Sequence, residues 1–390
     1  MATIVKDAHR MSASQSPGRI HAFWLFFPAA ALWAAIVVPL SLFAVMSGSG
    51  WPPGLLGAGH GHELIFGFAL ALIAGYTLGP QPWRILAPLF GLWLAARLSW
   101  LLAPEWLVSQ LLSPAFALLL AWQVVPRFQA AKKWRNKIAG PLILALCLLA
   151  LAYALTDWIP AVLTKRSLME VAILGLMLLM TFMGGRIIAP AVAGTLEKRG
   201  IPLEARVQPR IEGALLIVLP LVMICLPFSG TRLISGALLL LAATLIIVRT
   251  VRWKLWRCTD RPDLLVLALG YLWLAAGAGA TGVHLFTGQS LVPALHLITI
   301  GALGTLSGSV MLRLAWQRAC RTFPPAWQVL VLASAMAIAA ISRYFTGDAP
   351  YSQSSLLWLA SGVWALAFAG LASQLLALFL LSKSSSNRAL

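Results

Sequence analysis

The chain has 390 residues, of which 60% are hydrophobic and 10% are charged, and its formal net charge is +18. Together with a mean hydropathy of +0.87, this composition excludes a soluble globular enzyme and is typical of a polytopic membrane protein. A large positive charge also suits nucleic-acid binding, so the positions of the basic residues must decide between the two interpretations.

Apolar stretches of about 20 residues, the length that crosses a bilayer, predict an all-α protein with twelve transmembrane helices in one domain at residues 21–381. Residues 1–20 and 382–390 are predicted to be tails on the cytoplasmic side. The predicted helices run from His21 to Met46, His62 to Leu78, Arg84 to Ala103, Trp106 to Val125, Ile138 to Thr156, Leu168 to Ile188, Ile211 to Phe228, Leu233 to Val248, Leu264 to Phe286, Leu291 to Leu314, Trp327 to Arg343 and Leu356 to Leu381.

The basic residues predict the orientation of these helices. With both termini in the cytoplasm, 24 of the 29 Lys and Arg residues fall in inner segments. Only Lys165, Arg166, Arg232 and Arg343 fall in outer segments, and Arg97 lies inside a helix. Short cytoplasmic loops are enriched in basic residues, so the positive charge is a topology signal and indicates no nucleic-acid partner. Lipid is therefore the expected main partner.

Four of the six histidines are predicted to lie at one end of the helices. His60 and His62 precede the second helix, His284 is near the end of the ninth, and His296 is one turn into the tenth. Because ionisable side chains are costly next to lipid unless they are paired or bind a ligand, this group is the best candidate for a functional site.

The second predicted helix combines two histidines with small residues. Residues two apart point to different faces of a helix, so His60 and His62 either chelate together from a turn or have separate partners. Gly67, Gly75 and Gly79 belong to a small-residue stripe, which favours close helix packing and also leaves room for a flat macrocycle.

The tenth predicted helix repeats this design. His296 comes first, and Gly301, Gly304 and Gly308 follow. Two histidines on helices that pack closely are what a six-coordinate haem needs as axial ligands. The simpler alternative for His296 is a buried imidazole that is hydrogen-bonded to a neighbouring helix.

Two charged residues accompany the histidines. Glu63 has three possible roles: it orients a ligating imidazole, it transfers protons, or it is an acidic residue that the helix dipole stabilises in the first turn. Arg97 is the one basic residue deep within a predicted helix, so it needs an anion. A haem propionate would serve, as would Glu63 or a backbone carbonyl.

Three segments resemble motifs of the NnrS family. They are HGHELIFGFA from His60, MTFMGGRII from Met180 and ALHLITIGALGT from Ala294. The resemblance covers most of the twelve helices. It implies a bacterial inner-membrane protein that binds haem, of the b type, and copper, and that is produced in response to nitric oxide.

A weaker resemblance is to the catalytic subunit of haem-copper oxidases, which places haem-ligating histidines at the outer ends of its second and tenth helices. That resemblance implies His296, with His62 or His60, as haem ligands. The chain departs from the oxidases at Ala294, where they have a second histidine, and it has no histidine in the sixth and seventh predicted helices. Oxygen reduction by the oxidase mechanism is therefore not expected.

The sequence thus predicts a haem site near the periplasmic face with His62 and His296 as favoured ligands and Arg97 nearby. His60 and His284 are candidate copper ligands, and Glu63 is a candidate partner of a ligating histidine. The expected function is the binding or redox conversion of a small nitrogen-oxide species, with a membrane or periplasmic electron donor. The alternatives are a transporter of a metal or haem complex and an accessory protein of respiratory enzymes.

Overall fold

The computed structural model describes residues 19–159 and 163–387. Its helices correspond one to one with the twelve predicted segments. We number them α1 to α12: Phe23–Met46, residues 59–77, Trp83–Leu102, Leu107–Gln129, Ala139–Leu155, Lys165–Glu197, Pro209–Cys225, Arg232–Arg252, Pro262–Thr287, Val292–Ala319, Ala326–Phe345 and Ser354–Asn387. The fold class is therefore all-α, as predicted, and most of the predicted tail at residues 1–20 lies outside the described residues.

Two short strands and several single turns complete the described structure. Strand β1, Arg19–His21, pairs antiparallel with β2, Pro80–Pro82, so His21 lies in a strand before α1 rather than in a helix. A one-turn helix, Trp134–Lys137, precedes α5. Five 3-10 turns lie in the other connections, at Pro53–Leu55, Glu204–Arg206, Ser229–Thr231, Leu255–Arg257 and Pro350–Gln353.

Eleven of the described helices are long and apolar enough to cross a membrane, which supports a multi-pass membrane protein. Helix α2 is not among the eleven. Its first turns carry His60, His62 and Glu63, which make it more polar than the others. It is nevertheless helical throughout residues 59–77, and its side chains are largely buried by neighbouring helices.

Helices α2 and α10 both contain a π-helical segment immediately after their histidines. In α2 the segment is Glu63–Ala69, and in α10 it is Leu297–Gly304. The wider turn of a π-helix rotates the residues that follow it relative to those before it, and such segments are frequent at functional sites. Neither segment was predicted from the sequence.

The helices form a ring in which sequence neighbours pack together and α12 closes against α1. Helices α2, α6 and α10 line a common apolar cavity of about 120 Å³. Its walls include Ile73 of α2, Met183 of α6 and Leu306 of α10. The two histidine-bearing helices therefore share a lined cavity with α6.

Two boundaries differ from the predicted ones by more than five residues. Helix α6 extends to Glu197, nine residues beyond the predicted end at Ile188, and its backbone stays helical through Pro190. Helix α12 continues to Asn387, into the predicted tail at 382–390, because its backbone stays helical after the apolar stretch has ended.

Candidate functional site

The structure brings His60 and His296 together. Their ring centroids are 6.4 Å apart and the ring planes differ by 25°. His60 lies in the first turn of α2, and His296 ends the first segment of α10. Both side chains are partly buried. Two histidines that are 236 positions apart in the sequence therefore lie close together on separate helices.

The His296 ring is oriented by its own helix. Its Nδ1 lies 2.7 Å from the carbonyl oxygen of Val292, to which an Nδ1–H donates. In the neutral imidazole this contact leaves the lone pair on Nε2, the tautomer that a metal ligand requires. His60 interacts in a similar way with the backbone of Gly57.

Arg343 contributes positive charge to this pair. It lies near the end of α11, close enough to act electrostatically on both His60 and His296. Its guanidinium donates a hydrogen bond of 2.6 Å to Thr346. Arg343 therefore places a positive charge close to these two imidazoles. The sequence analysis distinguished Arg343 only as one of the four basic residues in the predicted outer segments, and did not predict its position near the histidines.

His62 points away from His296 into a second, fully buried group. It is 2% exposed, and its ring stacks on that of Trp100 at 3.8 Å between centroids. Its Nδ1 lies 3.0 Å from Oε1 of Glu63, to which an Nδ1–H donates. Within residues 19–159 and 163–387 no ring contact joins His62 to His296. The prediction that these two histidines share one haem stays a prediction, and the geometry favours His60 as the partner of His296.

Glu63 and Arg97 form a buried ion pair at 2.9 Å, and both are 0% exposed. Arg97 also donates to Ser113 at 2.6 Å, and the Trp33 indole donates to Glu63 at 2.9 Å. Glu63 is therefore the anion that pairs with Arg97 in the structure. An interaction of Arg97 with a haem propionate stays a prediction. The positions of Trp33 and Ser113 were missed, since a single Trp or Ser within a helix carries no distinctive signal.

His284 lies at the same end of the bundle, but both of its ring nitrogens have protein partners. Its Nδ1 is 2.6 Å from the carbonyl oxygen of Ser290, and its Nε2 is 3.3 Å from the Tyr344 hydroxyl. A metal at Nε2 would have to displace that hydroxyl. The prediction of copper at His284 stays a prediction without support from this geometry.

The glycines of α2 and α10 accommodate side chains from neighbouring helices. A Cβ atom at Gly67 would lie 2.7 Å from Nη1 of Arg97, and one at Gly75 would lie 2.6 Å from the ring of Phe27. In α10, a Cβ at Gly301 would be 2.7 Å from Trp273. The small-residue stripes therefore serve close packing, which was the simpler of the two interpretations.

Gly67→Ala is expected to destabilise the protein because the new methyl group would displace the Arg97 guanidinium from Glu63. Overpacking of this kind costs about 1–3 kcal/mol, more where an ion pair is disturbed. The midpoint of thermal unfolding in detergent should fall. Gly91→Ala is the matched control, since a Cβ there would have no atom within 4 Å. An equal midpoint in the two variants would contradict this packing role.

The donor set fits axial ligation better than a copper site made of protein ligands alone. Among the described residues, no three or more His, Cys, Asp or Glu side chains are grouped to hold a metal ion. A haem iron needs only two protein ligands, because the macrocycle supplies the other four. Two imidazoles on opposite sides of one metal have ring centroids roughly 6 Å apart, since each metal–nitrogen bond is about 2 Å long. The ring centroids of His60 and His296, which are 6.4 Å apart, have about this separation.

Comparison with known proteins identifies one family. The family model described as NnrS protein matches residues 19–383, nearly the whole chain. The matched region includes α1 to α11 and almost all of α12. No curated protein matches the chain.

Proposed function

The chain belongs to the NnrS family, and from this premise we propose that it is a haem- and copper-binding protein of the bacterial inner membrane. In this proposal it binds or redox-converts a small nitrogen-oxide species during the response to nitric oxide. The observation that carries the proposal is the approach of His60 and His296, whose ring centroids are 6.4 Å apart although the two residues belong to separate helices.

We assign the shared metal to His60 and His296, and we propose haem as the group that they hold. When bound, a haem would supply redox chemistry and, where a diatomic gas displaces one of the two histidines, a metal to which that gas binds. The chain's own contribution is orientation. The Val292 carbonyl fixes the His296 ring and leaves its Nε2 available to a metal.

Copper remains part of the proposal, and His62 is its better candidate ligand. The hydrogen bond to Glu63 directs the lone pair of a neutral His62 ring to Nε2. In the described part of the chain Nε2 has no hydrogen-bond partner, whereas both ring nitrogens of His284 have one. Arg97 and Trp33 hold Glu63 in place and so restrict the His62 ring as well.

The topology completes the proposal. We count α2 as a twelfth membrane span, since residues 59–77 are continuously helical and packed among other spans. An even number of spans places both termini on the same side of the membrane. The basic residues are concentrated on that side, which makes it the cytoplasmic side. The histidines then lie at the periplasmic ends of the second and tenth helices, an arrangement like that of haem-copper oxidases. A small gas or an electron donor would approach from that side.

Metal analysis and an optical spectrum of the purified protein test this function. We expect stoichiometric haem, and a shift of the Soret band when the reduced protein is exposed to nitric oxide. Protein purified without haem that drives uptake of a metal complex into vesicles would instead favour the transporter. A haem spectrum that nitric oxide leaves unchanged would contradict gas binding.

A further inference from the structure

The end of the bundle opposite to the histidines contains a second buried group of charges. Glu212, near the start of α7, accepts hydrogen bonds from three arginines: Arg135 at 2.8 Å, Arg186 at 3.1 Å and Arg249 at 3.3 Å. We call these four residues the arginine cluster. It contains three guanidinium groups and one carboxylate, so it carries a net charge of two positive units.

The Gly-Gly-Arg sequence of α6 assembles this cluster. A Cβ at Gly185 would lie 2.0 Å from Nη2 of Arg249, and a Cβ at Gly184 would lie 2.4 Å from the ring of Tyr271. The two glycines therefore let Arg249 and Tyr271 pack directly on the α6 backbone. Arg186, the next residue, then reaches Glu212. This motif thus has a local role that the histidine site does not use.

The cluster has more hydrogen-bond donors than acceptors. The Nε atoms of Arg186 and Arg249 are buried and have no hydrogen-bond partner. The remaining contacts of Arg249 are to the Thr181 carbonyl and the Tyr271 hydroxyl, both uncharged. Arg186 lies over the Phe182 ring and donates to the Phe182 and Arg135 carbonyls. Buried charges are normally paired, and a donor without an acceptor is costly.

The cluster is also accessible from one side. The side chains of Arg135 and Arg186 are 32% and 21% exposed, whereas those of Arg249 and Glu212 are 3% and 8% exposed. Arg135 belongs to the one-turn helix between α4 and α5, outside the long helices. The exposed arginines therefore form a rim at the bundle end, and the buried pair forms the base.

We propose that the arginine cluster binds a phosphate-type oxyanion, which supplies the negative charge and the acceptors that Glu212 alone does not provide. Guanidinium groups are suited to this ligand because their planar donors match two oxygens at once. The same chemistry is offered by free phosphate and by the phosphate group of an anionic lipid at the membrane surface. This proposal is independent of the metal site.

The experiment measures thermal unfolding of the full-length protein in detergent. In one arm inorganic phosphate is titrated against chloride at constant ionic strength, and in the other the micelles contain phosphatidylglycerol or phosphatidylcholine. We expect a higher unfolding midpoint with phosphate, with phosphatidylglycerol or with both. The apparent affinity should fall about tenfold or more in Arg186→Gln and in Arg135→Gln, since each removes a charge-assisted donor.

Two further variants make the result specific. Arg210→Gln removes an exposed charge two residues from Glu212 and should leave the response unchanged. Glu212→Gln should strengthen the response, since it removes the competing carboxylate, whereas a purely structural cluster would lose stability without gaining affinity. A response to phosphate indicates the free anion, and a response to phosphatidylglycerol alone indicates the lipid. No response in either arm, or an unchanged response in Arg135→Gln and Arg186→Gln, overturns the proposal.

Discussion

Replacing His296 with alanine is expected to remove the bound haem and its Soret band from the purified protein. His296 is the ring that faces His60, and its Nδ1 contact leaves Nε2 available to a metal. Loss of one of only two axial ligands removes half of the protein's bonds to the iron. The helix itself should survive, because the side chain is only partly buried and its hydrogen bond is to its own helix. Haem per polypeptide and the optical spectrum are the measurements.

The companion variants separate the three neighbouring histidines. His60→Ala should reproduce the loss of haem, whereas His62→Ala should retain the Soret band and alter copper content. His21→Ala, in strand β1 before the first helix, is the control and should resemble the parent protein. If His62→Ala loses haem and His60→Ala retains it, the ligands are His62 and His296, and our assignment of the pair is wrong.

Replacing Glu63 with glutamine is expected to have the largest effect on stability. The change leaves the guanidinium of Arg97 buried without a counter-charge, since its other partner is the neutral Ser113. Removing one member of a buried ion pair costs about 3–5 kcal/mol. For a chain of this size the midpoint of thermal unfolding should fall by about 4–6 °C. Midpoints from size-exclusion chromatography after heating measure the effect.

An exposed ion pair provides the control for that prediction. Glu197 and Arg206 are 3.5 Å apart, and their side chains are 57% and 52% exposed. Pairs of this kind contribute about 0–1 kcal/mol, so Glu197→Gln should change the midpoint little. Adding Arg97→Met to Glu63→Gln should recover part of the loss, since the uncompensated charge is then absent. Equal midpoints for Glu63→Gln and Glu197→Gln would show that the buried pair does not stabilise the fold.

Hydropathy was sufficient to locate the helices because a span is encoded by the local run of apolar residues. All twelve segments are helical, including the short pair on either side of Gly230. Helix α2 is less apolar than the other eleven, because His60, His62 and Glu63 lie in its first turns. Burial by neighbouring helices, which depends on the whole fold, compensates for those polar side chains.

The site was predictable in part. Histidines at corresponding ends of α2 and α10 indicated a common site, and His60 does meet His296. The choice between His60 and His62 was not predictable, because it depends on helix rotation. Both helices change to a π-helix next to the histidines. A regular period of 3.6 residues therefore does not predict which residues of one helix point toward the other. The pairing of Arg97 with Glu63 was one of several alternatives, and only their positions in space selected it.

X-ray absorption spectroscopy at the iron edge of the purified protein would show which side chains hold the metal. We expect two imidazole nitrogens at about 2 Å from the metal, in addition to the nitrogens of the macrocycle. In His60→Ala and in His296→Ala, one of these two should be lost from any iron that remains bound. A metal whose imidazole scattering is unchanged in both variants, or absent from the parent protein, would contradict the claim that α2 and α10 hold one metal between them.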